Sequence, residues 1–286
     1  MKISTSIIFS ILFISSSYFL QAQTTSDSLK NHSSLENKVY ENHISYQKTV
    51  WRRISLKEKQ NRPFFATDNE ITKHIIDAVK RGVITPYKND SLQTRMSQED
   101  FLVNIELPSE APVICYYEGF EDDNQEGFGD WGADNWGGNL AGETEYLNEY
   151  LPKQMYILET KTNVFFDKTR SRMIHDIQTI SIILPAEMNP ATGLERPIAT
   201  FSYKELIQNL FRDNSSAVYY NEKNNQAHLN LEEAFELMLT NGRLIKYSNA
   251  KDNHIIDIYE GYNQSLLASQ NYQANMVEYE SNLWEN

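Results

Sequence analysis

The chain has one cysteine, Cys115, in 286 residues. No intrachain disulfide can form, so stability must come from packing. Cys115 lies in the apolar run VICYY, which suits an inert buried thiol better than a low-pKa nucleophile. Long hydrophobic runs are missing too, and no stretch supplies the roughly 20 apolar residues that a bilayer-spanning helix needs. Basic residues are scarce, 26 Lys and Arg against 39 Asp and Glu, for a net charge of −13. That balance excludes nucleic acid as a partner, because phosphates require a basic footprint. Catalytic patterns are also wanting. The six histidines lack HExxH or HxH spacing, and no GxSxG, GxGxxG or phosphate-binding loop occurs. These absences point to an interaction protein, with no catalytic residue, metal ligand or cofactor expected.

What is present begins with an export signal. Lys2 supplies a positive start, Ile7 to Ile14 form a short apolar run, and Leu20-Gln21-Ala22 precedes a cleavage site at Gln23. Removing residues 1–22 leaves about 264 residues, enough for one large or two small cores. No cysteine lies near the cleavage site, so the chain itself does not become a lipoprotein. Residues 23–45 are polar and Ser/Asn-rich and read as a flexible leader.

Residues 46–262 read as an α+β domain, with short helices in capped helix-to-strand units around a small antiparallel sheet. Val50, Trp51 and Ile54 suit one face of a short helix or a strand, and Asn61-Arg62-Pro63 stops it. A helix-to-strand pattern then recurs three times. In the first unit Ile71, Ile75, Ala78 and Val79 share a helical face, with Thr67 and Glu70 at capping-box spacing and Gly82 at the left-handed end. A short strand at Val83-Ile84 is expected to follow. The second unit has Ser202 and Glu205 as its box, Ile207, Leu210 and Phe211 on its face, and Asn214 in place of the glycine. In the third, Leu231, Phe235, Met238 and Leu239 share the face and Gly242 is the cap. Between the first two units, Lys153 to Pro185 is rich in β-branched and aromatic residues, with a polar break at Asp167 to Ser171. That is a strand–turn–strand signal; Met173, Ile177, Ile180 and Leu184 also fit helical spacing, but the many isoleucines and the final proline favour a bulged strand. Residues 190–197 read as a loop. Residues 263–286 read as a C-terminal helix, with Tyr272, Met276, Tyr279 and Leu283 at helical spacing.

One segment, 111–149, stands apart as a long acidic, Gly-rich insertion. Glu118 to Tyr150 carries ten acidic and no basic residues and holds seven of the eleven glycines. Measured against a calcium loop starting at Asp122, Asn124, Glu126, Gly127 and Asp130 fall into place, but the closing position is Ala133 instead of a bidentate Glu. For glycoside hydrolysis, nothing among these glycines would fix two carboxylates at the required separation. Trp131 and Trp136 suit either stacking on sugar rings or pinning the segment to the body. The segment reads as a solvated insertion, and a secreted calcium- or carbohydrate-binding module is the alternative.

VWRRISLKEKQNRPFF (Val50 to Phe65), FFDKTRSRM (Phe165 to Met173) and the stretch from Phe201 to Tyr259 resemble the GldN/PorN family of gliding-motility and type IX secretion proteins. The likeness covers about residues 46–110 and 150–260 in the family's order. Val164 stands where the family has tryptophan, and Ser55 where it has aspartate. The resemblance implies a non-enzymatic periplasmic subunit at the inner face of the outer membrane. Its implied partners are an outer-membrane lipoprotein of the GldK/PorK type, copies of itself in a ring, and other secretion-machine subunits. Candidate contacts are Trp51, Arg52 and Arg53, the Phe165, Phe166, Asp167 and Arg170 hairpin, and the C-terminal helix, since aromatics and arginines anchor interfaces.

The insertion and module readings separate on a melting experiment. A binding module melts higher with calcium or glycan and loses that gain when Asp122, Asp130 or Trp131 is replaced. The expected outcome is no shift.

Overall fold

The computed structural model describes residues 39–107, 149–189, 192–212, 214–224 and 226–284. The expected signal peptide, most of the expected leader, Cys115 and the segment 111–148 with its calcium and sugar candidates lie outside the described residues. Strand β1 (Ile44–Ser55) comes first. Beyond it the buried Asn61 does more than precede a proline. Its Nδ2 donates to the carbonyls of Ser55 and Asn241, and its Oδ1 accepts from the Asn241 amide, all at 2.8 Å. The end of β1 is thereby clamped to a loop far along the chain.

A small hairpin follows, β2 (Phe65–Ala66) and β3 (Asn69–Glu70), and leads into helix α1 (Ile71–Lys80). Ile71, Ile75, Ala78 and Val79 are all buried, as the spacing predicts, and Gly82 takes φ +72° after the helix. The Thr67–Glu70 capping box does not form: Glu70 is the N-cap without a side-chain bond, and Thr67 lies in the hairpin turn. No strand forms at Val83-Ile84. Instead Tyr87 exchanges backbone hydrogen bonds with Thr200. Helix α2 (Gln98–Ile105) is capped by Ser97, whose Oγ accepts from the Asp100 amide, and buries Phe101 and Ile105. After it, the backbones of Glu106 and Glu149 bridge each other, on either side of the stretch 108–148.

The expected strand–turn–strand is β4 (Ile157–Asp167) and β5 (Arg172–Leu184). Its bulge is present: Lys161 faces Thr179 and Thr162 faces Ile177, leaving Gln178 as the extra residue. Strand β6 (Arg196–Ser202), which overlaps the expected loop, has no counterpart in the sequence reading. Its Pro197 is tolerated because the strand lies at the edge of the sheet. Helix α3 (Tyr203–Leu206) widens into a π-helical turn over Ile207–Phe211 and buries Ile207, Leu210 and Phe211. Glu205 is drawn away from its expected box, because its Oε1 accepts the Thr85 amide. Asn214 makes a side-chain turn with the Ser216 amide.

The second small hairpin, β7 (Val218–Tyr219) and β8 (Leu229–Asn230), leads into helix α4 (Leu231–Glu236), capped by Asn230. This helix ends early. Met238 turns to φ 53°, so Met238 and Leu239 leave the face that buries Leu231 and Phe235. Gly242 is not left-handed; it is needed for close approach, since a Cβ there would lie 2.8 Å from Ile54 Cγ1 and 3.1 Å from the Arg53 carbonyl. Strand β9 (Arg243–Tyr247), helix α5 (Ile255–Ile258) and helix α6 (Tyr262–Trp284) complete the chain.

The five long strands form one antiparallel sheet in the order β6-β5-β4-β1-β9. The architecture is therefore α+β, as expected. Ile54, Leu158, Ile180, Ile182 and Phe201 from the sheet share one core with the buried faces of α1 to α4. Val50, Val164 and Leu244 form a second cluster with Ile255 of α5 and Met276 of α6. The C-terminal helix thus docks on the body, where Tyr272 stacks on Tyr247 at 4.5 Å and Tyr279 meets Tyr46 at 4.8 Å. Ser269 Oγ donates to the Leu244 carbonyl at 2.8 Å.

Phe235 is the aromatic centre of the larger core, with the rings of Phe64, Tyr203 and Phe211 at 5.2, 5.7 and 6.2 Å. Phe235→Ala is expected to cost about 3–5 kcal/mol in urea unfolding. Leu237→Ala, at a side chain 62% exposed, should stay within about 0.5 kcal/mol.

Candidate partner-binding site

Trp51, Arg52 and Arg53 are consecutive on a strand, so their side chains alternate between the two faces of the sheet. The pairing register puts Trp51 and Arg53 with Lys161 and Glu159 of β4 on one face. Arg52 lies with Val50 and Ile54 on the other. The three residues that the sequence groups together therefore serve two different environments.

On the first face the Trp51 indole N–H donates to Asp90 Oδ2 at 2.9 Å. Lys246 Nζ lies 4.5 Å and Lys161 Nζ 5.3 Å from the indole ring centroid. A cation over tryptophan is attracted to the negative ring face, contributing about 0.5–2 kcal/mol depending on desolvation. Lys161 also pairs with Asp90 at 3.3 Å, and Lys246 with Asp252 at 2.8 Å. Burial pushes the Asp90 carboxyl up. The Trp51 hydrogen bond and the two ammonium groups outweigh that and hold it below its ordinary value. A cavity of about 230 Å³ opens here. Its lining includes Trp51, Lys161, Lys246 and Thr179, and the buried Thr179 hydroxyl has no hydrogen-bond partner. Beside it Arg53 bridges two acids, reaching Glu159 at 2.7 Å and Glu195 at 2.8 Å. Nothing local in the sequence announces Asp90, Lys161, Lys246 or Glu195 as members of this site, because the pairing register and a distant loop bring them in.

Arg52 points to the other face, where burial pushes its guanidinium pKa down. No carboxylate among the described residues pairs with it. Its neighbour His175 has a buried Nδ1 without a partner. Burial first, and then the Arg52 charge, push that imidazole down to about 4.

The second candidate group occupies the far end of the hairpin. Phe165 pairs with Gln47, four positions before Trp51, or roughly 13 Å along the strand. Phe165, Phe166 and Asp167 are all buried. Asp167 Oδ1 accepts the Thr169 amide at 2.9 Å, and Arg170 Nη1 lies 3.7 Å from Asp167 Oδ2. Phe165 to Asp167 thus brace the β4–β5 turn, and Arg170 is the partly exposed member at its tip. The two groups do not converge on one patch. Among the described residues, no cluster of three His, Cys, Asp or Glu side chains could hold a metal ion, and no helix is long and apolar enough to cross a membrane.

The His175 environment makes a pH prediction. Its unfolded value is near 6.5 and its folded value about 4. Between those values the unfolded chain binds a proton that the folded chain does not, so this group's contribution to stability falls as pH drops from 6.5 to 4. His175→Gln should flatten that part of the stability–pH profile. Arg52→Gln should raise the His175 pKa, read by NMR titration of the imidazole.

No curated protein matches the chain. The family described as gliding motility associated protein GldN matches residues 39–285, which takes in every strand and helix above. That family is a structural component of secretion machinery, associated with gliding motility and type IX secretion. With the match running through most of its length, the chain belongs to the GldN family.

Proposed function

We propose that the protein is a non-enzymatic structural subunit of a periplasmic ring at the inner face of the outer membrane. It assembles with copies of itself and with an outer-membrane lipoprotein of the GldK/PorK type, serving type IX protein secretion and, in gliding hosts, motility. The observation that carries this reading is the family match across sheet, helices and C-terminal segment together.

The mechanism is geometric. A head-to-tail interface closes into a ring only when each subunit imposes the same rotation on the next. A sheet packed under helices, with α6 clamped across one end, suits a subunit that must hold its shape. The lipoprotein's acyl chain supplies the membrane anchor. Three surfaces serve as contacts: the Trp51–Arg53 face, the Arg170 tip, and the outer side of α6. On that helix Leu267 and Val277 are 58% and 67% exposed. Phe165, Phe166 and Asp167 contribute by bracing the turn that carries Arg170.

Coexpression with the lipoprotein, purification and electron microscopy test this assignment. A large particle containing both proteins is expected, and it should survive deletion of Glu118 to Gly138. Reversing Arg53 and Arg170 together to Glu should lower the lipoprotein retained by about tenfold, as for interfacial charge reversal. A solitary chain without lipoprotein in crosslinked envelopes would overturn the assignment.

A further inference from the structure

A groove of about 990 Å³ runs between the two small hairpins. Its lining is apolar at Leu56, Phe65, Ala66 and Val218. The walls are fixed to one another. The Tyr220 amide donates to the Pro63 carbonyl at 2.9 Å, and Asn69 Nδ2 donates to the Val218 carbonyl at 2.7 Å. On one wall His228 stacks on Tyr220 at 4.9 Å, and its Nδ1 accepts the Asn221 amide at 3.0 Å. The proton of the neutral ring therefore sits on Nε2, leaving a donor at the groove.

The charges along this groove are unlike those of the whole chain. Lys57 and Arg62 are exposed on the lining contributed by the β1–β2 connection, and neither has a carboxylate partner among the described residues. Lys57 Nζ rests 3.8 Å from the Tyr156 ring centroid instead. Glu222, from the β7–β8 hairpin, is the one acid among the described residues of the lining. Two cations against one acid give the described lining a net positive charge on a protein whose net charge is −13.

We propose that this groove binds an extended acidic segment of a partner protein. An extended chain sends alternate side chains to opposite sides. Apolar residues can then enter the floor while carboxylates meet Lys57 and Arg62, the pattern of strand-like peptide recognition. The His228 Nε2–H donates to the peptide's carbonyl or carboxylate oxygen. A single chain carries the whole groove, so the proposal does not depend on ring assembly.

The test uses the full mature chain and three acetylated hexapeptides in which leucine alternates with glutamate, serine or lysine. NMR titration with the glutamate peptide should give saturable shifts confined to groove amides such as Ala66 and Val218. The glutamate peptide should bind about two- to thirtyfold tighter than the serine peptide and more tightly still than the lysine peptide, in line with two ion pairs at a partly exposed site. The exposed double variant Lys57→Glu/Arg62→Glu should lose that preference while keeping its melting temperature, and Lys251→Glu should keep it. Equal binding of the serine peptide, or shifts scattered over the surface, would overturn the proposal. Binding that appears only once residues 118–139 are deleted would also overturn it, because the occupant would then be the chain's own acidic segment.

Discussion

From Tyr46 opposite Phe166 to Ser55 opposite Ile157, β1 and β4 run antiparallel without a break in register. Both strands are interior in the sheet, so every other element is placed relative to this ladder. A slip of one residue would exchange the two faces of β1, moving Val50 and Ile54 out of the two cores and Trp51 and Arg53 into them. The buried apolar positions make such a slip costly. The Asn61 clamp adds a polar stop at the end of the strand, where its side chain satisfies backbone groups from two distant segments.

The same ladder explains why a run of aromatic and basic residues does not act as one patch. Alternation divides Trp51 and Arg53 from Arg52, and the neighbouring strands supply different company on each side. On the outward face Trp51 donates to Asp90 and Arg53 pairs with Glu159 and Glu195, whereas the inward guanidinium faces a histidine kept neutral by burial. A positively charged sequence motif thus becomes an ion-paired arginine on one face and an arginine without a carboxylate partner among the described residues on the other. At the other end of the sheet, Asp167 is used to shape a turn before it can meet anything outside the chain.

Much of this was legible where periodicity runs long. The hairpin of β4 and β5 follows from its β-branched and aromatic composition and its polar turn. Helix α1 follows from Ile71, Ile75, Ala78 and Val79. Features resting on one or two residues were not legible, since tertiary partners compete for them. Glu205 fits a capping box by spacing but is taken by the Thr85 amide. Gly242 resembles a helix cap but is required by the passage of Ile54. Strand β6 is short and contains Pro197, so its Ile198 to Phe201 run is visible only with β5 beside it. In the candidate site Trp51 and Arg53 could be picked out as residue types. Their partners Asp90 and Glu195 could not, because separations of this size along the chain carry no local signal.

The Glu106–Glu149 bridge has a consequence for the chain between those two residues. With both ends of the intervening stretch held side by side, the stability of the body depends only weakly on how many residues lie between them. Each doubling of a loop's length costs only about 0.6 kcal/mol of closure entropy. By closure entropy alone, changing the number of residues between Glu106 and Glu149 costs the body little, so chain length is a weakly constrained quantity there.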